Sequence, residues 1–326
     1  MITQILYLNK MEPSAVIGGK LPIINSNGIC GKSDILVCES CEFVNTFLEL
    51  SPDISVLLNI DNDHLDFFKT MDNLVNSFKQ FISMSKLCFL NGDDPLSVSA
   101  AKKFSAEKIT FGLGNDNTYN ARNEKPSKFG FSFDVYKNDE FLISLDLKTP
   151  GKHNILNSLA AFAVCHYLGV TPKGIKSALE TFTGAGRRFE FIGEFENFVL
   201  ADDYAHHPSE IKATLQAAKD LKYKRVVAVF QPFTFSRTAL LKDDFIDALK
   251  VADKVILTPI MGSREINTYG ITSEDLAKGL ESCTCVETFD EAVEQIIKTA
   301  QKGDIVITMG GGDIYKVAQS VAKKLK

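Results

Sequence analysis

The sequence has no block of like charge, no apolar run of membrane-spanning length, no low-complexity tract and no short repeat. A net charge of −5 without a basic cluster excludes an extended polyanion surface, so no nucleic-acid partner is expected. Small anionic ligands remain compatible with scattered Lys and Arg. The apolar stretch SLAAFAVCHYLGV is too short to span a bilayer and carries His166, so no membrane partner is expected either. The first residues lack the organisation of a signal peptide, which leads to the expectation of a cytoplasmic protein. Seven cysteines, an odd count in a chain of 326 residues, argue against a disulfide framework. Cys38 and Cys41 have the spacing of a half-site for zinc, but Cys283 and Cys285 do not have the spacing of its partner.

What is present is alternation of apolar runs with helical periods, over a length that suits two domains. MITQILYLNK has a helical spacing ended by Pro13. DILVCE, ISVLLNI, KLCFLNGDD and KITFGLG read as buried strands, and residues 73–84 as a helix between two of them. Near-continuous apolar strands separated by helices predict a parallel α/β sheet. The stretch on either side of Asn138-Asp139 alternates apolar and polar residues, as an antiparallel hairpin does. Two helices follow, HNILNSLAAFAVCHYLG and TPKGIKSALETF. Beyond TGAGRRFE, a second alternation predicts a doubly wound domain: strands NFVLADDYA, RVVAVFQP, KVILTPI and DIVITMGGGD, with helices between and after them. The expected division is 1–186 and 187–326.

In open α/β sheets, ligands sit in the loops that follow the strands, and the polar clusters lie there. A cleft between the two domains is the expectation. Gly31-Lys32-Ser33 ends like a phosphate loop, but Ser26 stands where the pattern needs glycine and a strand follows instead of a helix. Glu39 and Asn59 each end a strand. DNDHLD places His64 among carboxylates; it fits a divalent-cation shell and equally a helix cap by Asp63 or Asp66. Arg187-Arg188 at the domain junction suits a terminal phosphate or a surface ion pair. ADDYAHHPSE is the densest polar cluster, with Asp203, Tyr204, His206 and His207; adjacent histidines diverge, so one at most faces a ligand. Arg237, at the start of a helix after FQPFTFSRT, suits a carboxylate or solvent. TMGGGD would let backbone N–H groups approach an anion, or serve as a tight turn.

Taken in order, VIGGKL, GKSDILVCESCE, NIDNDHLDFF, NGDDP, PGKHNILNSLAA, GAGRRFE, DDYAHHPSEI, QPFTFSRT and TMGGGDIYKV resemble the Mur ligase family, nearest its alanine-adding members. The resemblance covers essentially the whole chain. It implies a central P-loop-type ATPase α/β domain with a small antiparallel β subsheet, followed by a C-terminal Rossmann-like α/β domain. Family members carry a G-T-H-G-K-T loop just before the helix that MITQILYLNK resembles. Met1 stands where that helix begins, so the resemblance implies a chain without the phosphate loop and the UDP-binding domain. Weak turnover or none is then expected of this polypeptide by itself. The implied activity is ATP-dependent ligation of L-alanine to UDP-N-acetylmuramate through an acyl phosphate, in peptidoglycan precursor synthesis. Alternatives are ligation of a recycled tripeptide to the same sugar acid, or a non-catalytic nucleotide-binding fragment.

Implied roles fall on matching positions. Glu39 and His64 resemble ligands of Mg²⁺, and Asn59 lies in the substrate segment before that histidine. Asn157, with His153 and Asn154, resembles the contact to the adenine edge. Arg188, with Arg187, resembles the arginine that reaches ATP, and Asp203 and Tyr204 the pair beside ribose and adenine. His206 and Arg237 resemble residues around the L-alanyl end. The residues implied in catalysis are His64, Glu39, Arg188 and His206.

Overall fold

A computed structural model describes residues 1–62, 65–127 and 130–325. It divides into two compact units, Met1–Phe182 and Thr183–Lys326. Both are α/β in the sense expected. No helix among the described residues is long and apolar enough to cross a membrane.

Unit 1 opens with α1 (Ile2–Leu8), then β1 (Ser14–Leu21), β2 (Ser26–Ile29) and β3 (Leu36–Cys38). These three strands form a sheet of their own in the order β2-β1-β3, with β3 parallel and β2 antiparallel to β1. This corrects the expectation that DILVCE is a buried strand of the main sheet. Leu36 is 63% exposed, and the strand covers only one face. The main sheet contains β4 (Ile54–Leu57), β5 (Leu87–Asn91), β6 (Glu107–Gly112), β7 (Tyr119–Pro126), β8 (Phe131–Lys137) and β9 (Glu140–Leu147), adjacent in that order. Pairing is parallel from β4 to β7 and antiparallel from β7 to β9. Asn138 and Asp139 turn the β8–β9 hairpin with φ of 47° and 67°, as a two-residue loop requires.

On one face of that sheet lies α5 (His153–Tyr167), with α1 and α6 (Pro172–Leu179) beside it; between them come α2 (Leu65–Phe68), α3 (Met71–Ser83) and α4 (Pro95–Ala100), introduced earlier in the chain. Ile155, Leu159, Phe162 and Cys165 of α5 join Phe89, Phe111 and Tyr119 in one core. Leu74, Phe81 and Ile82 of α3 join Cys88 and Leu90 in another. Residues 87–90 therefore alternate between two cores, which is why LCFL reads as uninterrupted apolar sequence.

Unit 2 runs β10 (Glu190–Glu194), β11 (Phe198–Asp203), α7 (Pro208–Asp220), β12 (Arg225–Phe230), α8 (Phe235–Leu240), α9 (Lys242–Leu249) and β13 (Lys254–Leu257). It continues with α10 (Ser273–Ala277), β14 (Cys283–Cys285), α11 (Phe289–Thr299), β15 (Asp304–Met309) and α12 (Tyr315–Leu325). Strand order is β10-β11-β15-β12-β13-β14, parallel except for β10. Val226, Ala228, Phe230, Ile305 and Ile307 pack with α7, α9 and α10. Val227, Val229 and Val306 pack with α11 and α12 on the other side. The sheet is doubly wound. β15 lies between β11 and β12, yet its helix α12 leaves on the face opposite to α7 and α9. The loops at these carboxyl ends are where ligands sit in open α/β sheets.

At the other end of the sheet Asp304, 1% exposed, accepts from Arg225 Nε at 3.1 Å and Nη2 at 2.6 Å and from Gln301 N–H at 2.8 Å. Removing the guanidinium leaves a carboxylate with little water and one remaining donor. Arg225→Ala is expected to destabilise unit 2 by about 3 kcal/mol. Urea unfolding at neutral pH measures this; a loss under about 1 kcal/mol, the range of exposed pairs, would refute the assignment.

Candidate active site

In unit 1 the polar positions sit at strand ends and at one helix start. Glu39 follows β3 and is exposed. Its Oε2 accepts from Gly18 N–H at 2.7 Å, and its own N–H donates to Val16 O at 2.9 Å. A Cβ on residue 18 would lie 2.4 Å from Glu39 Oε1 and would displace this carboxylate from its present position. Gly18, in the VIGGKL stretch, is a contact of Glu39 that the sequence reading did not single out. Asn59 is exposed after β4, and the next residue, Ile60, donates its N–H to Asp94 Oδ2 at 3.2 Å. The same oxygen caps α4 through Ser97 N–H at 2.8 Å. Thus NGDDP ties the ends of two parallel strands together. His64 and Asp63 lie outside the described residues.

At the start of α5, His153, Asn154 and Asn157 come together as a chain. Asn154 Nδ2 lies 3.2 Å from His153 Nε2 and donates to Pro150 O at 2.7 Å; Asn157 Nδ2 donates to Asn154 Oδ1 at 3.3 Å. Gly151, at φ 93°, precedes them, and a Cβ there would meet the His153 ring at 2.3 Å. The three side chains form one polar edge with hydrogen-bonding capacity left over, suited to a planar heterocycle.

In unit 2 the double arginine behaves differently from the expectation that both guanidinium groups face a ligand. Arg187 has φ 60° and Phe189 φ 46°, so successive side chains flip: Arg187 turns inward, Arg188 outward, Phe189 inward. Arg187 Nε donates to Asp202 Oδ2 at 3.0 Å, Nη1 to Gly312 O at 3.1 Å and Nη2 to Gly310 O at 2.7 Å. Its guanidinium also lies 4.9 Å from the Tyr204 ring centroid and 4.8 Å from that of Tyr315. These contacts commit Arg187 to the protein itself. Arg188 is 57% exposed in its side chain, 5.8 Å from the Tyr204 ring and 3.9 Å from Glu210 Oε1, a loose pair that leaves its donors usable.

Asp203, expected beside a ribose, is held by the backbone around it. It is 6% exposed, and its two oxygens accept from Phe189 N–H at 2.8 Å and Ala205 N–H at 2.7 Å. A carboxylate bound on both sides by backbone donors shapes the turn. Burial pushes its pKa up to about 6 against the opposing pull of those donors. Asp202, also buried, is raised by burial despite Thr308 and Arg187. Tyr204, half-buried, meets the His206 ring edge-on at 5.1 Å, and His206 meets Phe233 at 6.0 Å. His206 Nδ1 is 3.0 Å from Tyr204 O. Glu210 Oε2 accepts from His206 N–H at 3.0 Å and His207 N–H at 3.2 Å; the Pro-Ser-Glu start of α7 is the sequence signal for that cap. His207 Nδ1 turns instead to Ser209 Oγ at 3.0 Å.

Arg237 lies in α8, whose N-cap Thr234 has φ 65°. Its Nη1 is buried with no hydrogen-bond partner, a donor aimed at something the protein does not supply. Tyr204, His206, Arg188 and the glycine run 310–312 thus share the carboxyl ends of β11 and β15, and Arg237 stands beyond the end of β12. Among the described residues, no group of three or more His, Cys, Asp or Glu side chains forms a metal-binding set.

Residues 29–165 match the Mur ligase middle domain, and residues 187–312 the Mur ligase, glutamate ligase domain. The UDP-N-acetylmuramate–L-alanine ligase of Caldicellulosiruptor bescii is 42% identical over 332 aligned residues, covering 99% of this chain and 73% of that protein. The chain belongs to the Mur ligase family. It is an ATP-dependent amide-bond-forming ligase by that membership. A crystal structure of the UDP-N-acetylmuramate–alanine ligase of Thermotoga maritima superposes with a TM-score of 0.82 at 26% identity, covering 99% of this chain and 71% of that one. The murein peptide ligase of Psychrobacter arcticus shares the fold, with a TM-score of 0.71 at 21% identity over 99% of this chain and 74% of its own.

The Asp203 carboxyl gives this Mur ligase a testable pH dependence. Its folded pKa of about 6 exceeds the ordinary 3.8, so the folded protein holds the proton more tightly than the unfolded chain. The resulting stabilisation is fully present below the unfolded value and is lost as pH rises through the folded one, roughly 3 kcal/mol in all. The difference in unfolding free energy between wild type and Asp203→Asn should fall by that order across this window, followed by urea titrations. A difference that does not change with pH would mean an unshifted carboxyl.

Proposed function

We propose that this chain serves the ATP-dependent joining of L-alanine to UDP-N-acetylmuramate, in peptidoglycan precursor synthesis, with weak turnover or none from the polypeptide by itself. The observation that carries the reading is the 42% identity to an enzyme of that name across 99% of the chain. The muramate carboxylate attacks the γ-phosphorus of ATP, giving ADP and an acyl phosphate. The alanine amine then attacks the acyl carbon and displaces phosphate.

Negative charge accumulates on oxygen in both steps, so fixed positive groups and oriented donors are what catalysis needs. Arg188, exposed and only loosely paired, supplies a guanidinium to the phosphate oxygens. Within unit 1, His153, Asn154 and Asn157 offer the adenine edge donors and acceptors. His206 and Arg237 serve the alanine end; the unpartnered Arg237 Nη1 favours a carboxylate. Asp203 and Arg187 act through the turn they hold. Asn59 borders the muramate carboxylate.

The chemistry of Glu39 fits Mg²⁺. Its carboxylate sits in a cradle that a Cβ at residue 18 would fill, and one backbone N–H leaves lone pairs for a cation that takes few protein ligands. Glu39 would hold the metal, with His64 as the second ligand called from sequence. When bound, the ion would neutralise phosphate oxygens.

Such phosphate release from ATP as the chain supports should require both UDP-N-acetylmuramate and L-alanine, and Arg188→Ala should lower it about 100-fold. Release stimulated by a tripeptide and not by L-alanine would move the assignment to the recycling ligase. Calorimetric binding of a non-hydrolysable ATP analogue with no release under any combination would mark a nucleotide-binding fragment.

A further inference from the structure

Both sheets of unit 1 end on a strand that has no neighbour on one side among the described residues. β3 closes the order β2-β1-β3, and β4 opens the order that runs to β9. Ser14 N–H donates to Ile35 O at 2.8 Å and Glu39 N–H to Val16 O at 2.9 Å, so the backbone of Ile35, Val37 and Glu39 is turned to β1. Backbone direction alternates along a strand, and Leu36 and Cys38 therefore present their N–H and C=O groups to the open side. In β4 the Asp53 carbonyl accepts from Lys86 N–H at 3.0 Å and Leu87 N–H at 3.2 Å, which turns Asp53, Ser55 and Leu57 to β5. Ile54 and Val56 are left facing the other way.

These two open edges border one core. Ile35 and Val37 pack against the cluster that contains Phe89 and Leu159, and Ile54 and Val56 pack against the same cluster. On its other face β4 sends Leu57, 3% exposed, into the core that contains Phe47. Neither edge is guarded. Natural edge strands are blunted by charge, proline or a bulge, because a free ladder of N–H and C=O groups recruits another strand. LVC and ISVL carry no charged residue and no proline, and each pairs with its one neighbour without a shift of register.

A second copy offering a sheet edge of its own could satisfy β3 or β4 but would leave the other open. A single strand lying between them bonds to both. Its side chains would alternate between the two cores, so both of its faces must be apolar, as in the inner strands of a parallel sheet. We infer that β3 and β4 bound a slot for one strand of a separate polypeptide, about five residues long and apolar throughout. The inference stands on the sheet edges and goes beyond the ligase reading. A source for such a strand exists among the relatives, since the ligase of Caldicellulosiruptor bescii aligns over 73% of its length and has further sequence besides.

The test follows amide exchange into D₂O by NMR on the ¹⁵N-labelled full chain, alone and with the unaligned part of the C. bescii ligase expressed separately. In the chain alone, Leu36, Cys38, Ile54 and Val56 should exchange fast while Val37, Ser55 and Leu57, in the same strands, exchange slowly. The added polypeptide should slow the four fast amides at least tenfold. Val56→Pro removes a slot-facing N–H and leaves the bonds to β5, and it should weaken binding about tenfold or more. Cys38→Pro should do the same from the other edge, and serves if the β4 variant does not fold. Slow exchange of the four amides in the chain alone overturns the inference, with light scattering showing whether a second copy covers them. So does binding that leaves them fast, no binding at all, or unchanged binding by a folded proline variant.

Discussion

The carboxyl end of the second sheet depends on one desolvated guanidinium. Arg187 joins the end of β11, the loop after β15 and the first turn of α12 through three hydrogen bonds and two tyrosine faces. An arginine suits this place because it stays charged and presents donors in a fixed plane, with flat faces left for rings. Asp202, beside it and bound also by Thr308 Oγ1 at 2.5 Å, compensates the charge. A lysine would bring one point charge to a junction that offers three acceptors in different directions. Strand-end carbonyls removed from water need donors, and here one side chain serves two of them.

The same logic separates acids that hold the fold from acids that can meet a ligand. Asp93 binds Gly114 N–H at 3.2 Å and Asn117 Nδ2 at 2.8 Å; Asp94 caps α4 and the loop after β4. Asp203 and Glu210 are each taken by two backbone N–H groups. Glu39 accepts from one backbone N–H and remains exposed, which makes it the acid of this set with capacity for a cation. Motif membership alone does not distinguish these cases, since all five lie in conspicuous polar clusters. The count of backbone donors at each carboxylate does.

The sequence made the long elements readable because burial on both faces writes a continuous apolar code. LCFLN, RVVAVF and DIVITM are strands on composition alone, and α5, α7, α11 and α12 follow from their period. β1, β7, β10 and β14 escaped notice for different reasons. SAVIGGKL is broken by two glycines, YNARNEKP is polar because its outer half is exposed, and CTC is only three residues long. The apolar period of RTALLKDDFIDAL divides at Leu241 into α8 and α9, for Leu241 leaves helical geometry at φ −111°. The candidate site was legible as a set of positions but not as directions. Nothing in the pattern Gly-Arg-Arg-Phe-Glu tells which arginine turns inward; that is decided by left-handed backbone at Arg187 and Phe189, held by Glu190 of the same segment and by Asp203 from β11.

That backbone strain is best understood as the cost of directing side chains. Arg187, Phe189 and Thr234 all have positive φ without being glycine, and all three lie in loops at the carboxyl end of the unit 2 sheet or before its first strand. Each such residue costs of the order of 1 kcal/mol or more, and relaxes unless its surroundings over-determine it. Here they do so. Arg187 N–H donates to Glu190 Oε2 at 2.8 Å, its carbonyl accepts from Tyr204 N–H at 2.7 Å, and Phe189 N–H is bound by Asp203. Thr234 N–H donates to Met261 O at 2.9 Å while its hydroxyl caps α8. Because the strain is held by hydrogen bonds within unit 2, these loops keep their shape in the absence of a ligand. Binding then need not supply the energy of forming it, which leaves more of the interaction with a charged substrate available for positioning the reacting atoms.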